Sequence, residues 1–409
     1  MMRSHFLICC VWLTATAGLA QDTPSAEVYP FGTIDLRFHE TGGRGLEINK
    51  QRRGDGPFSH LQVNLFTDIA VGDDLIIFNQ ITLDPSSRSS PSSFLRTWAQ
   101  WRLYSSRHGD VQLQLGKIPT PFGNYTERAY TDKNPLIGHP LMYHYFTSLR
   151  SNQLPADNGD LLDHRGSGSG DFGGYEGGGA SSPRSGLPLI YDTCWDFGGG
   201  LIGSLWRLEY LFAITQGTLS DPRSGTVDTN DGQQIAARIG LVPFTGAMLR
   251  LSWARGPYLD RVVASSLPTG AQVEDYEQEI VGLAAEYEIR HLVIVAEAAR
   301  NRWTSPYITN AGGHDQDLEV DGAYVEVRQK LGPGFHAAAR WSALRFARID
   351  DGTGRNRQVR WDRSVDRLEM SLTYWLNEMT LIKSGVQLND LHAQDGDDHL
   401  ATTQLTVRF

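Results

Sequence analysis

RLEMSLTYWL, residues 367–376, is the stretch on which the fold turns. Leu368, Met370, Leu372 and Tyr374 alternate with Arg367, Glu369, Ser371 and Thr373. Successive side chains of a strand point to opposite faces, so this segment has one apolar face and one polar face. The same period recurs along the chain. In GTIDLRFH (32–39), Ile34, Leu36 and Phe38 alternate with Asp35, Arg37 and His39. HLQVNLF (60–66) sets Leu61, Val63 and Leu65 against His60, Gln62 and Asn64. WRLEYLFAI (206–214) puts Trp206, Leu208, Tyr210, Phe212 and Ile214 on one face. The pattern predicts about sixteen strands, each near the length a tilted membrane-spanning strand needs. Their centres run from Ile34 to Leu405, with the sixth near Thr193.

The connections sort by length. Short links are read at Val71, Ser106, Gly198 (GGGLIG), Pro243, Ile289, Leu331 and Asn377. Longer polar stretches lie between them, near Gly43, Ser87, Gly168, Gly225, Ala264, Ala311, Gly352 and Asp395. Strict alternation of short turns and long loops, with both chain ends on the short-turn side, is the habit of outer-membrane barrels. A soluble β-sandwich shares the period-two pattern but has no reason to sort its loops this way. The fold class expected is all-β: a transmembrane antiparallel β-barrel over residues 21–409.

Composition agrees. The mean hydropathy of -0.33 over 409 residues is too low for a bundle of membrane helices. Residues 1–20 read as a cleaved signal peptide: Arg3, an apolar run from Phe6 to Leu13, then small residues ending at Ala20. Cys9 and Cys10 fall inside that leader, so the mature chain keeps only Cys194 and no intrachain disulfide. The net charge of -10 becomes -11 without Arg3, which argues against nucleic acid as a partner. The final strand, TTQLTVRF, ends on Phe409 with Val407 and Leu405 two and four residues back. Phe409 is expected to serve as the signal read by the barrel assembly machinery.

One long connection stands out, from about Pro119 to Pro188, the third external loop. A loop of that length is functional or disordered. Its first half, PFGNYTERAYTDKNPLIGHPLMYHYF (121–146), is rich in aromatics and prolines and is expected to be ordered. Its second half, RGSGSGDFGGYEGGGASSPRSG (165–186), reads as flexible by composition. The expected course is inward, forming the narrowest point of the lumen and lining it with Lys117, Glu127, Arg128, Lys133, His139, His144 and Arg150. An external lid is the alternative.

The stretch LQLGKIPTPFGNY (113–125) resembles the strand-to-loop signature of the phosphate-selective porin O and P family, through Gly116, Lys117, Pro121, Phe122 and Gly123. IVAEA around Glu297 and LTYWLNEMTLIKSGVQLND (372–390) are similar to that family as well. The resemblance implies a sixteen-stranded barrel, often trimeric, that passes solutes by diffusion. The lysine cluster of phosphate-selective members has no match here.

Strand parity assigns Arg37, Arg96, Arg102, Arg207, Arg238, Arg250, Arg328, Arg340, Arg367 and Arg408 to the lumen. The acids on that face are Asp35, Glu209, Glu286, Glu288, Glu297, Glu326 and Glu369. An arginine excess favours small anions, unless arginines and acids simply pair within the wall. The function expected is a passive pore for small hydrophilic solutes, a homotrimer set in outer-membrane lipid and lipopolysaccharide. Rival readings are a selective channel for an organic or aromatic solute, favoured by Tyr125, Tyr130, Tyr143, Tyr145 and Phe146, and a plugged structural barrel. An enzyme is not expected, because no nucleophile and base converge. No cofactor and no metal site are expected either. Arg53-Gly54-Asp55, the GSGSG run at Gly166, the pair His139 and His144, and the acidic runs from Asp315 and Asp395 all read as ordinary loop residues.

Overall fold

Residues 367–375 lie in a strand of the computed structural model, with the alternation read from their sequence. Val365, Arg367, Glu369 and Ser371 are buried on the inner side, and Leu368, Met370 and Leu372 are exposed on the outer side. The structure describes residues 26–41, 60–84, 92–168, 174–182, 184–192, 195–223, 226–306, 315–355, 357–392 and 398–409. The leader, the 53–55 tripeptide, Cys194 and the acidic run at 395–397 lie outside them.

The described residues form a closed barrel of sixteen antiparallel strands, each paired with its sequence neighbour. They are β1 (Ala26–Thr41), β2 (His60–Val71), β3 (Leu75–Asp84), β4 (Ser92–Ser106), β5 (Gly109–Pro119), β6 (Trp195–Leu205), β7 (Leu208–Thr215) and β8 (Gln234–Leu241). The second half comprises β9 (Ala247–Pro257), β10 (Glu277–Ile289), β11 (Leu292–Ser305), β12 (Gln316–Gly332), β13 (Phe335–Phe346), β14 (Val365–Trp375), β15 (Thr380–Leu391) and β16 (Asp398–Arg408). β1 closes on β16 in register Thr33↔Arg408 to Thr41↔Leu400. Phe409 extends that seam: its backbone exchanges hydrogen bonds with Gly32, at 2.9 and 3.1 Å. Its ring lies over Gly32, where a Cβ would stand 2.6 Å from Cζ.

The GGGLIG run is a correction. It lies inside β6, and the turn falls at Trp206 and Arg207. Glycines 198 and 203 read as turn residues from sequence, yet here they admit close neighbours. A Cβ on Gly198 would sit 2.9 Å from the Thr215 Cα, and one on Gly203 would strike the Tyr210 ring. Glycine within a strand marks such close backbone approach.

The outer face explains the solvent. Leu95, Leu283 and Leu372 are 62%, 60% and 58% exposed, with many other large apolar side chains around them. A band of that size is stable only against lipid. Trp101, Tyr104, Trp206, Phe244, Tyr287, Phe335 and Tyr374 are exposed toward the short-turn end, the place of an interfacial aromatic girdle. At the opposite rim the outward face of β9–β12 carries ion pairs instead: Arg302 with Glu279 (2.6 Å) and Asp317 (3.4 Å), and Arg300 with Asp321 (2.8 Å). Arginine at the bilayer centre costs about 2–4 kcal/mol, so this row sits above the hydrocarbon. The acidic run from Asp315 is thereby partnered by arginines and, at Asp315, by the Tyr276 hydroxyl.

At that same end the connecting segments build a second core. Tyr145, Leu149, Leu161, Tyr175, Leu189, Tyr258, Val263, Tyr276 and Trp361 pack in one cluster with Trp303, Leu318 and Phe346 of the strands. Described residues of the Gly-rich half of the long loop belong to it, Tyr175 among them. Residues 178–179 pair with 153–154, and the Tyr175 hydroxyl donates to the Ser148 carbonyl. Its described glycines work by lacking side chains: a Cβ on Gly177 would lie 2.6 Å from the Leu154 carbonyl oxygen. Composition alone read this segment as flexible.

Candidate functional site: the lumen and its inserted loop

The segment between β5 and β6 runs into the barrel. Its departure begins at Gly116, φ +122°, where any Cβ would come 2.5 Å from the Thr97 carbonyl oxygen. Ile118 packs with Leu211 and Ala213 of β7. Pro119 and Pro121, which have no N–H, end the ladder. Phe122 then reaches across to β10 and covers Gly282, where a Cβ would stand 2.6 Å from its Cζ. Gly123 follows in the left-handed region, φ +60°. A side chain there would overlap the Glu297 carboxylate and the Tyr143 hydroxyl. The Gly123 N–H donates to Ser252 Oγ (3.1 Å), and Arg238 donates to the Gly123 carbonyl (3.0 Å). Arg250 holds Asn124 Oδ1 at 2.6 Å.

From there the far wall straps the loop down. Glu297 accepts from Tyr143 (2.7 Å), Tyr324 (3.0 Å) and the Asn124 N–H (3.4 Å). Arg128 pairs with Glu326. Arg340 donates to Glu326 (3.1 Å), Glu369 (2.8 Å) and the Gly138 carbonyl (2.6 Å). Ser371 donates to the Pro135 carbonyl at 2.7 Å and Arg367 to that of His139 at 3.3 Å. Lys383 donates to the carbonyls of Thr131 and Asn134. Glu297, Glu326, Glu369, Arg340, Arg367 and Lys383 are each 3% exposed or less. Buried charges are stabilised by pairing and hydrogen bonds: Glu326, Glu369 and Arg340 are ion-paired, and Glu297, Arg367 and Lys383 are hydrogen-bonded to the loop. Loop residues 141–143 lie against β12 and β13, so the loop is an internal layer, not a lid over the mouth.

No protein-family model matches the chain, and no curated protein sequence does. Solved structures match in shape. OmpF of Salmonella typhi, in complex with daunomycin, superposes with a TM-score of 0.56 at 12% identity, over 96% of this chain and 99% of that one. An anion-selective porin from Comamonas acidovorans gives 0.52 at 11% identity, over 94% and 99%. A loop-deleted OmpT, an outer membrane protein of Vibrio cholerae, gives 0.53 at 9%, over 94% and 99%. The fold is a porin fold.

Within this porin fold the arginines assigned to the lumen by parity divide into groups. Arg340 and Arg367 face inward but are sealed behind the loop, and Arg238 and Arg250 hold its entry. All four serve as wall ties: Arg340 and Arg250 pair with acids, Glu326 and Glu369 for the first and Glu209 for the second, whereas Arg238 and Arg367 bond to loop carbonyls. Arg207 is a correction: it stands in the β6–β7 turn and donates to the Pro243 carbonyl of the next turn at 2.6 Å. Arg102 is exposed at the same end of the barrel, beside Asp110, and Arg328 is half-buried on β12. Arg37 (half-buried) stands on β1, one strand from the strapped wall and within electrostatic range of Lys383, and Arg96 (7% exposed) lies on β4, farther round the barrel.

The loop charges need correction too. Lys117 is buried at the loop root, its ammonium 5.7 Å from the centre of the Phe197 ring. Arg128 is committed to Glu326. Arg150 is wholly buried in the external core. Burial there pushes its guanidinium down to about 10, with Tyr175 acting in the opposite sense. The Glu127 side chain lies outside the described residues. Lys133 is exposed, alone among the four whose side chains are described, its ammonium 5.5 Å from the centre of the Tyr130 ring. His139 and His144 stack at 5.4 Å and both face Asp192, at 3.9 and 3.4 Å. The described residues contain no group of three His, Cys, Asp or Glu placed to hold a metal.

Three contributors escaped the sequence reading. Lys383 was legible, because parity on β15 places it inward with Gln387 and Asn389. Asp362 was not: it lies in an external loop and accepts from the Ser148 N–H (2.7 Å), the Gly166 N–H (2.9 Å) and the Tyr145 hydroxyl (3.0 Å). Burial holds its carboxyl above the ordinary aspartate range despite these bonds. The third is a strip of aromatics on the inner side of β2–β6.

Proposed function

We propose that the protein is an outer-membrane porin for passive diffusion of small hydrophilic solutes, with a preference for anions. The observation that carries this is the one-sided strapping of the loop. Behind it Glu326 and Glu369 of the β10–β15 wall pair with Arg340 and the loop's Arg128, and Glu297, Arg367 and Lys383 are hydrogen-bonded to the loop. Where the loop tip at 130–134 faces the opposite wall, Arg37, Arg96, Lys133, Arg408 and the buried Lys383 lie among Asp35, Asp84, Asp132 and Asp192. Tyr130 touches that wall through Gln80 Oε1 at 2.9 Å, and Arg408 lies 3.7 Å from Asp132. The excess of positive charge concentrates anions at the narrowest level. The reading places the chain in the cell outer membrane after loss of its leader, as a homotrimer inserted by the barrel assembly machinery into lipid and lipopolysaccharide. Phosphate selectivity is not part of it, because Lys117, the lysine of the family-like motif, is buried at the loop root.

The test is single-channel recording of the purified, refolded protein in planar bilayers. Stable conductance steps and an anion-selective reversal potential in a salt gradient are expected. A correctly folded barrel that inserts but carries no current would overturn the pore. A cation-selective reversal potential would overturn the anion preference.

A further inference from the structure

The lumen face left uncovered by the loop is not a plain polar wall. Phe66, Phe78 and Trp98 share the inward parity of their buried neighbours Asn64, Gln80 and Arg96. Phe78 stacks on Trp98 at 4.5 Å, and Trp98 meets Trp195 at 4.8 Å. Phe66 meets the loop residue Tyr130 edge-on at 5.6 Å. Arg96 joins the two groups: its guanidinium lies 5.5 Å from the centre of the Trp195 ring and is hydrogen-bonded to the Tyr130 hydroxyl. Phe66, Phe78, Trp98 and Tyr130 are half-buried, so each keeps part of its ring on the water path. By contrast Tyr125, Tyr143 and Tyr145, three of the five loop aromatics that the sequence pointed to, are at most 3% exposed and packed away, while Tyr130, another of the five, belongs to the strip.

A pore that only needed to pass water and ions gains little from a row of rings, whose faces offer no conventional hydrogen bonds to hydrated solutes. Rings do offer flat faces for another ring, and an arginine edge offers paired donors to a carboxylate. Arg37 extends the polar side of the strip: like Arg96 it lies within electrostatic range of Asp192, and its Nε donates to Gln404 Oε1 at 3.1 Å. We propose that this strip is a sliding surface for aromatic carboxylates, whose ring moves over Phe66, Tyr130 and Trp98 while the carboxylate is handed along Arg96 and Arg37. The proposal rests on the porin reading and narrows its solute class.

Current interruption in planar bilayers tests it, with potassium chloride carrying the current and benzoate, cyclohexanecarboxylate, acetate, phosphate or maltose added. Benzoate is expected to interrupt the current at a concentration about tenfold below that of acetate or phosphate, the scale of one added ring contact, and below that of the non-planar cyclohexanecarboxylate. Arg96→Gln should weaken benzoate by about tenfold, and Trp98→Leu should remove the distinction between benzoate and cyclohexanecarboxylate. Phe66→Leu carries the same test should Trp98→Leu not assemble. Equal interruption by benzoate and acetate overturns the proposal, as does tighter block by phosphate or by maltose. In each of those cases the chloride current itself remains and the porin reading stands. Loss of all current in the wild-type barrel strikes that reading instead.

Discussion

Gly123→Ala tests whether the loop is held inside the barrel by the contacts described. The residue adopts φ +60°, a region that costs a non-glycine residue about 1–3 kcal/mol. The new methyl would also occupy the position of the Glu297 carboxylate and the Tyr143 hydroxyl. Glu297 would have to move, loosening its bonds from Tyr143, Tyr324 and the Asn124 N–H. Losing one hydrogen bond to a charged group costs about 1.5–3 kcal/mol, so strain plus a single lost bond reaches roughly 2.5–6 kcal/mol. That range shifts the balance between seated and released loop by at least about seventyfold. In single-channel records the variant should show larger conductance, more open-state noise and weaker ion selectivity. Limited proteolysis of the assembled barrel should cut the loop near residues 130–140. Gly270→Ala is the control: its φ of +90° carries similar strain, but no atom lies within 4 Å of the new Cβ. A Gly123→Ala channel indistinguishable from wild type, with Gly270→Ala equally silent, would show that the entry contacts do not hold the loop.

Lys133→Glu and Arg37→Glu should each move the reversal potential toward cations, whereas Arg128→Glu should mainly raise noise, since it repels Glu326; selectivity unchanged in both of the first two would remove the charge argument. Deleting Asn134 to Ser185 in a barrel that still assembles should raise conductance, and an unchanged conductance would leave the constriction to the wall residues. Phe409→Ala, which strips the ring from Gly32 at the seam, should lower the amount of assembled barrel without blocking export; normal levels in outer-membrane fractions would count against its assembly role. The raised carboxyl of Asp362 binds its proton more tightly when the external core is folded. That core should therefore be most stable at low pH and lose stability as pH rises from the ordinary aspartate value through the folded one, and hydrogen exchange of Ser148 and Gly166 that does not respond to pH beyond its intrinsic rate would refute this.

The barrel was legible in the sequence because the strand period is local. Arg367 and Leu368 face opposite ways whatever the rest of the chain does, and lipid outside with water inside keeps that alternation on strand after strand. The inward course of the long loop was also foreshadowed, by Pro119, Pro121 and Gly123. What the sequence by itself could not decide is which inward charges remain in the water path. Arg340 and Arg37 have the same parity and the same chemistry. One is sealed between Glu326 and Glu369, the other stays beside the lumen, and the difference lies with a loop more than a hundred residues away in sequence from the Arg340 wall it covers. Gly198 shows the same limit at the level of backbone: glycine in a turn and glycine under a neighbouring strand read alike until the neighbour is known. Period and parity are properties of one strand, whereas burial and pairing belong to the assembled barrel, and the charge and rings that the pore presents follow from the second.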